Sequence, residues 1–141
     1  MSLALKKSTK VQPMGSSELV IDTSIFIDFL RAKDKKKTHL YKLSDSQDRY
    51  VTSVTVYELY IGATDVQKIA DINILVQDLI VLPFDDIVSI KAAEIYHELR
   101  KANKMIEFRD IFIAATCIVH QLPIKTLNKS HFSRIKGLKL C

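Results

Sequence analysis

The sequence predicts an α/β fold, a three-layer α/β/α sandwich in which helices cover both faces of a central parallel sheet. Short apolar segments typical of buried strands alternate along the chain with longer segments of helical periodicity. This alternation favours parallel pairing, because each helix returns the chain to the start of the next strand. With 141 residues, of which 48% are hydrophobic, three are Gly and three are Pro, the chain suits one domain with a substantial core.

The first half of the chain contains two predicted strand–helix pairs and one further helix. ELVI (18–21) is a short apolar run, and a helix begins after it at about Ser24. The lysine-rich segment KKKTHLYKLSDS predicts a weak helix or a loop. RYVTS (49–53) is the second strand, and it leads into the helix VTVYELYIGA, which closes at Gly62. DVQKIADINILVQDL predicts the next helix.

The second half contains two more strands and the two best-defined helices. IVLPF predicts a strand that Pro83 ends, and PIKTL predicts the fourth strand. The segment DDIVSIKAAEIYHELRKANK is amphipathic, with one apolar stripe formed by Val88, Ala92, Ile95 and Leu99. RDIFIAATCIVHQ is apolar nearly all round, which predicts a buried helix. KSHFSRI predicts a helical turn, and LKL a last short strand.

The N-terminal segment differs from the rest of the chain. Residues 1–17 are polar and without periodicity, so we expect a flexible extension before a single domain at 18–141. No apolar run approaches the roughly 20 residues of a membrane span, and the start lacks the apolar core of a signal peptide. The two cysteines, Cys117 and Cys141, do not suggest a disulfide framework. We therefore expect a soluble cytoplasmic protein with no membrane partner.

The basic charge is concentrated at the two ends of the chain. The net charge is +5, but three of the lysines lie in the N-terminal segment, so the body is nearly balanced. No acidic residue follows Asp110, whereas five basic residues do: Lys125, Lys129, Arg134, Lys136 and Lys139. This asymmetry suits a polyanionic partner such as a nucleic acid, and a solvated basic edge is the alternative.

Four polar residues fall where the carboxyl ends of the predicted strands should meet. Asp22 follows the first strand, Glu58 lies early in the helix after the second, Asp110 begins the buried helix, and Asn128 follows the fourth strand. Ligands bind at this edge of parallel sheets. Carboxylates gathered there would repel one another unless a cation shared them, and hard oxygen ligands suit Mg²⁺ or Mn²⁺. Such an ion is suited to phosphodiester hydrolysis.

Each of these residues also has a purely structural interpretation. Asp22 and Asp110 could complement the positive ends of the helices that they begin. Glu58 completes TVYE, a possible capping box with Thr55. Asn128 could be a turn or cap residue. The prediction of a site therefore depends on their common location, not on any one of them.

Several other kinds of site are excluded. The four histidines lack the spacing of a zinc site. No Gly-rich phosphate loop is present, which excludes P-loop and dinucleotide-binding domains. A receiver domain needs paired acids after strand one, where Asp22 is alone, and a haloacid-type phosphatase needs an Asp where Ser24 stands. Both phosphotransfer folds fit poorly.

Four motifs in order give the chain a resemblance to a known family. VIDTSIFIDFL, SVTVYELYIGA, FRDIFIAATCIVHQLPIKTLN and HFSRIKGL together resemble a PIN domain of the VapC-type toxin ribonucleases. The likeness extends from about Glu18 to Leu140. It implies the α/β/α sandwich, Mg²⁺- or Mn²⁺-dependent endoribonuclease activity on RNA, a small VapB-like antitoxin partner and a homodimer. Cleavage would leave 5′-phosphate and 3′-hydroxyl ends.

The resemblance also assigns roles to residues of this chain. The three acidic positions of the family match Asp22, Glu58 and Asp110, which would hold the metal. The fourth falls on Asn128, where the chain departs from the fully acidic pattern. Supporting hydroxyl positions match Thr23 or Ser24, and Thr126.

Two functions remain open at this point. The first is a metal-dependent endoribonuclease toxin. The second is a catalytically weak PIN-fold module that binds RNA or protein without cutting, which the neutral Asn128 favours.

Overall fold

The structure is a computed structural model that describes residues 18–43 and 48–141, so the expectation of a flexible extension at 1–17 lies outside the described residues. The elements alternate along the chain as expected, with one short 3₁₀ turn at Lys35–Lys37. They are β1 (Leu19–Ile21), α1 (Thr23–Arg31), β2 (Arg49–Thr52), α2 (Ser53–Ile61), α3 (Val66–Val76), β3 (Ile80–Leu82), α4 (Asp86–Lys101), α5 (Phe108–Val119), β4 (Ile124–Lys125) and α6 (Lys129–Phe132).

The four strands form one parallel sheet in the order β3-β2-β1-β4. In the central strand β1, Val20 pairs with Tyr50 of β2 on one side and with Ile124 of β4 on the other. The last strand predicted from the sequence, LKL, is reduced to one isolated parallel bridge between Leu140 and Ile124. The predicted parallel sheet is otherwise confirmed.

Helices cover both faces of this sheet. Since the side chains of a strand alternate between its faces, β1 contributes to a core on each side. Val20 packs into a core with α4, α5 and α6, whereas its neighbours Leu19 and Ile21 pack into a second core with α1, α2 and α3. The predicted stripe of α4, from Val88 to Leu99, is buried in the first core. The three-layer sandwich is therefore confirmed. No helix among the described residues is long and apolar enough to span a bilayer.

The carboxyl ends of β1, β2 and β4 lie side by side and carry polar residues. Asp22 follows β1, Thr52 ends β2, and Thr126 follows β4; all three side chains are buried. The backbone amide of Asp22 donates to the carbonyl of Lys125 at 3.0 Å, which fixes the first loop against the last strand. This edge of the sheet is where the predicted site should lie.

Candidate active site

Asp22 lies at the centre of the polar edge, with 1% of its surface exposed. It caps the N-terminus of α1. Its Oδ2 accepts hydrogen bonds from the Ser24 amide (3.4 Å), the Ser24 hydroxyl (2.7 Å) and the Thr126 hydroxyl (2.8 Å). In the part of the chain that the structure describes, every hydrogen bond donated to this side chain goes to Oδ2. The carboxylate is thus held through one oxygen, and Oδ1 keeps its lone pairs for another partner.

Ser24 and Thr126 also tie the two loops of the site together. The Ser24 hydroxyl accepts from the amide of Leu127 at 3.0 Å, and the Thr126 hydroxyl accepts from the amide of Asn128 at 2.9 Å. The two hydroxyl oxygens are 3.4 Å apart. Because both hydroxyls donate to Asp22 and accept backbone amides, the position of the carboxylate depends on both loops.

Glu58 points into the same site from α2. Its Oε1 accepts from the Thr23 hydroxyl at 2.8 Å, and its Oε2 lies 3.0 Å from Arg109 Nη1. The possible capping box of Glu58 with Thr55 is wrong, because the hydroxyl of Thr52 caps α2 by accepting the amide of Thr55. The carboxylate of Glu58 does not cap the helix and faces Thr23 and Arg109 instead.

Asp110 enters the site from the first turn of α5. Its Oδ2 lies 3.2 Å from Nδ1 of His131, while its Oδ1 has no hydrogen-bond partner within residues 18–43 and 48–141. Burial raises the pKa of Asp110, the hydrogen bond from His131 lowers it, and the charge of Asp22 raises it further. The side chain of Asp110 is 17% exposed.

The three carboxylates repel one another electrostatically. Burial is the main cause that raises the pKa of Glu58; Thr23 and Arg109 lower it, and Asp22 and Asp110 raise it again. Within the described segments, no three His, Cys, Asp or Glu side chains are already gathered as ligands around one point, since Glu58 faces Arg109 and Asp110 faces His131. The oxygen donors nevertheless fit Mg²⁺ or Mn²⁺ chemically. Coordination by all three would require these side chains to move closer to one point.

Asn128 lies beside the site without joining the carboxylates. It occupies the N-cap position of α6, but its exposed side chain makes no capping hydrogen bond. It lines an open cavity of about 530 Å³ together with Ser24, Arg31 and Leu127. A simple capping role therefore does not account for the amide, and its predicted contribution to an ion stays a prediction.

Two residues of the site, Arg109 and His131, were missed by the sequence analysis. The absence of zinc spacing excludes a zinc site, but a single His that pairs with one carboxylate has no spacing signature. Arg109 precedes Asp110 in the motif FRD, and that adjacency was the available signal. Cys117 is buried, and burial raises the pKa of its thiol, so it is no nucleophile.

An apolar groove between α1, α2 and α3 ends at the site. The cavity has a volume of about 450 Å³. Apolar residues form much of its wall, and four charged residues also line it: Arg31, Glu58, Lys68 and Asp71. A partner side chain in this groove can therefore reach the carboxylate of Glu58.

Comparison with known proteins places the chain in a family context. The model of the PIN domain family matches residues 19–138. Ribonuclease VapC1 of Methanocaldococcus jannaschii is 28% identical over 138 residues, which cover 96% of both chains. Ribonuclease VapC1 of Rickettsia felis is 33% identical over 129 residues, which cover 86% of this chain and 93% of the relative.

Solved structures share the fold. DNA-bound VapBC from Salmonella typhimurium has a TM-score of 0.78 at 24% identity and covers 88% of this chain and 96% of that chain. VapBC2 from Rickettsia felis, bound to a promoter DNA fragment, has a TM-score of 0.77 at 21% identity and covers 88% of this chain and 97% of that chain. At these identities the likeness shows the fold alone.

Proposed function

The chain belongs to the PIN domain family, and from that premise we propose that it is a divalent-metal-dependent endoribonuclease, the toxin of a toxin–antitoxin pair. The observation that carries the proposal is the burial and hydrogen bonding of Asp22. This buried carboxylate is held by three hydrogen bonds through Oδ2, with Oδ1 left over, beside two further acidic side chains. The ribonuclease relatives support the reaction and the substrate class.

The carboxylates suit an Mg²⁺ or Mn²⁺ ion. Asp22 and Asp110 each have one oxygen that is not engaged by the described residues, and Glu58 would complete the set. When bound, the ion supplies an activated water for attack on phosphorus and neutralises charge on the phosphate. Ser24 and Thr126 keep Asp22 oriented, and Thr23 does the same for Glu58. His131 holds Asp110 through the other carboxylate oxygen.

The basic residues of the last third of the chain suit the RNA backbone. Lys129 is exposed in the first turn of α6, directly after Asn128, and Arg134 follows α6. Phosphate contacts of this kind give affinity without base specificity.

The apolar groove suits an antitoxin. Toxin–antitoxin complexes are among the solved structures of the same fold, and the apolar residues of the groove between α1, α2 and α3 suit the apolar face of an amphipathic helix. A small VapB-like antitoxin with an Arg or Lys at the end of that helix would reach Glu58 and form charge-assisted hydrogen bonds in place of the ion.

A homodimer is the last part of the proposal. Ile87 and Ile90 on the outer face of α4 are 65% and 64% exposed. An apolar surface of this kind is suited to a second copy of the chain. Ile87→Glu should then convert a dimer to a monomer in light scattering, and a monomeric wild type would refute this part alone.

Cleavage of single-stranded RNA by the purified chain tests the function. We expect cleavage with Mg²⁺ or Mn²⁺, loss of cleavage with chelator, and loss in Asp22→Asn. The matched control is Asp78→Asn, an exposed acid that precedes β3 at the opposite edge of the sheet. No cleavage by folded wild-type protein that still binds RNA would favour the binding module, whereas chelator-resistant cleavage would refute the metal.

A further inference from the structure

Arg109 makes two ion pairs beside the carboxylates. Its Nη1 lies 3.0 Å from Glu58 Oε2, and its Nη2 lies 2.7 Å from Glu107 Oε2. The guanidinium therefore bridges an acid of the site and an acid outside it, while its own side chain is 53% exposed.

A purely structural role explains this arginine poorly. Arg109 lies in the first turn of α5, where the helix dipole favours anions and disfavours cations. Exposed ion pairs add little to stability. The groups that surround the guanidinium must therefore explain why a cation occupies this position.

The charges of the site suggest that Arg109 faces the phosphate of a substrate. Three ionised carboxylates carry three negative charges, and a divalent ion offsets two of them. One negative charge would remain against an incoming phosphate. Arg109 is a cation in direct contact with one of these carboxylates, and its second partner, Glu107, offsets part of its charge.

The two anchors of Arg109 make this role compatible with an ion. If Glu58 turned to an ion, Nη1 of Arg109 would be released while Nη2 would stay paired with Glu107. Nη1 would then be free to donate to a phosphate oxygen, a charge-assisted hydrogen bond that guanidinium groups form readily.

Phe108 adds a second feature next to the guanidinium. Its side chain is 59% exposed, and Tyr96 lies at a ring-centroid distance of 6.0 Å from it. Ile106, Glu107, Phe108 and Arg109 line an open depression of about 450 Å³. An exposed aromatic ring beside a cation is the usual combination for single-stranded nucleic acid.

We propose that residues 106–109 form a nucleotide subsite for the RNA strand, in which Arg109 binds a backbone phosphate, Phe108 stacks on a base, and Glu107 positions the guanidinium. This inference rests on the proposed ribonuclease function and assigns part of its substrate binding. Glu58 connects this subsite, through its ion pair with Arg109, to the groove proposed for the antitoxin, which it also lines.

The test is the binding of a fluorescent, phosphorothioate-linked single-stranded RNA in Mn²⁺, measured by anisotropy over a range of KCl concentrations. Arg109→Gln should weaken binding about tenfold, as expected for loss of a hydrogen bond to a charged group. It should also reduce the slope of log K against log salt by about 0.7, the value for one phosphate on a single strand. Phe108→Ala should weaken binding about tenfold, because a stacked base is lost, with the slope unchanged.

Matched controls separate the subsite from general effects of charge and area. Lys91→Gln removes a cation that is paired with Glu94 on α4, and Tyr41→Ala removes an aromatic side chain that is 56% exposed. Both should leave affinity and slope unchanged. Arg109→Lys keeps the charge but loses the planar guanidinium that Glu107 positions, so it should keep the slope and lose part of the affinity.

Two results would overturn the inference. An unchanged salt slope in Arg109→Gln refutes the phosphate contact, and an unchanged affinity in Phe108→Ala refutes the stacked base. If these results are obtained with a wild-type protein that binds and cleaves RNA, the subsite is refuted but the ribonuclease function is not. If the wild type neither binds nor cleaves RNA, both proposals fall together.

Discussion

Thr126 donates a hydrogen bond of 2.8 Å to Oδ2 of Asp22, a contact between residues 104 positions apart in sequence. Thr126 follows the edge strand β4, and Asp22 follows the central strand β1. The contact therefore exists only when these two strands are paired. It makes the orientation of the central carboxylate a direct consequence of the fold.

Thr126→Val tests this relationship. The substitution keeps the shape of the side chain and removes the donor, so it should destabilise the protein by about 1.5–3 kcal/mol, the range for a hydrogen bond to a charged group. Because Asp22 loses a group that orients it, Mn²⁺ affinity should fall about tenfold, the low end for loss of such a supporting group. Calorimetry gives the affinity, and denaturant titration gives the stability.

The control for this variant is Thr116→Val. Thr116 is equally buried, but its hydroxyl donates to the carbonyl of Phe112 within α5. It should cost stability without changing Mn²⁺ affinity. If Thr126→Val and Thr116→Val bound Mn²⁺ with equal affinity, the hydrogen bond of Thr126 would serve stability alone.

The raised pKa of Asp110 predicts how pH acts on the ion-free protein. Burial raises this pKa in the folded state. The stability that Asp110 contributes is therefore present at pH below its ordinary pKa and is lost as pH rises through the raised folded pKa. Asp110→Asn cannot ionise, so in chelator the stability of the variant relative to wild type should increase over that pH window. Thermal or denaturant unfolding at several pH values measures the difference, and a constant difference would contradict the prediction.

Asn128 should tune the site and not hold the ion. An amide can offer a carbonyl oxygen but no charge, so Asn128→Ala should reduce cleavage about tenfold, equivalent to about 1.4 kcal/mol of barrier. Asn128→Asp adds a charge near Asp22 and Asp110 and should lower the Mn²⁺ concentration that gives half-maximal activity. If Asn128→Asp left the half-maximal Mn²⁺ concentration unchanged and Asn128→Ala lost stability, Asn128 would only stabilise the turn.

Gly62 offers a test of the antitoxin groove. It caps α2 in a right-handed conformation (φ −74°), and an added Cβ would meet no atom closer than 3.5 Å. Gly62→Phe should therefore fold, fill the groove and weaken neutralisation by the antitoxin while RNA cleavage by the purified toxin persists. Growth of cells that co-express the variant with the antitoxin is the measurement. Full neutralisation of the variant would place the antitoxin elsewhere.

The fold could be predicted because its signals are local. The run ELVI, the stripe from Val88 to Leu99 and the apolar helix after Asp110 each show their burial in the sequence. Strand order and the helix cap could not be settled this way. Thr52 and Thr55 are both suitable caps, and the choice depends on where β2 ends.

The candidate site could be predicted only in part, for a related reason. Asp22 follows β1 and Glu58 lies in the helix after β2, so topology places both at one edge of the parallel sheet, whereas Asp110 begins a helix that follows another helix. The partners of these acids depend on side-chain reach. Neither Arg109 beside Glu58 nor His131 beside Asp110 follows from the period of a helix or the end of a strand.

The most direct test of the central claim is the equilibrium binding of Mn²⁺ to wild type, Asp22→Asn and the control Asp78→Asn, measured by calorimetry and followed by RNA cleavage by the same samples. We expect wild type and Asp78→Asn to bind Mn²⁺ and cleave, and Asp22→Asn to lose both while keeping its thermal transition. Mn²⁺ binding and cleavage that survive in Asp22→Asn would contradict the account.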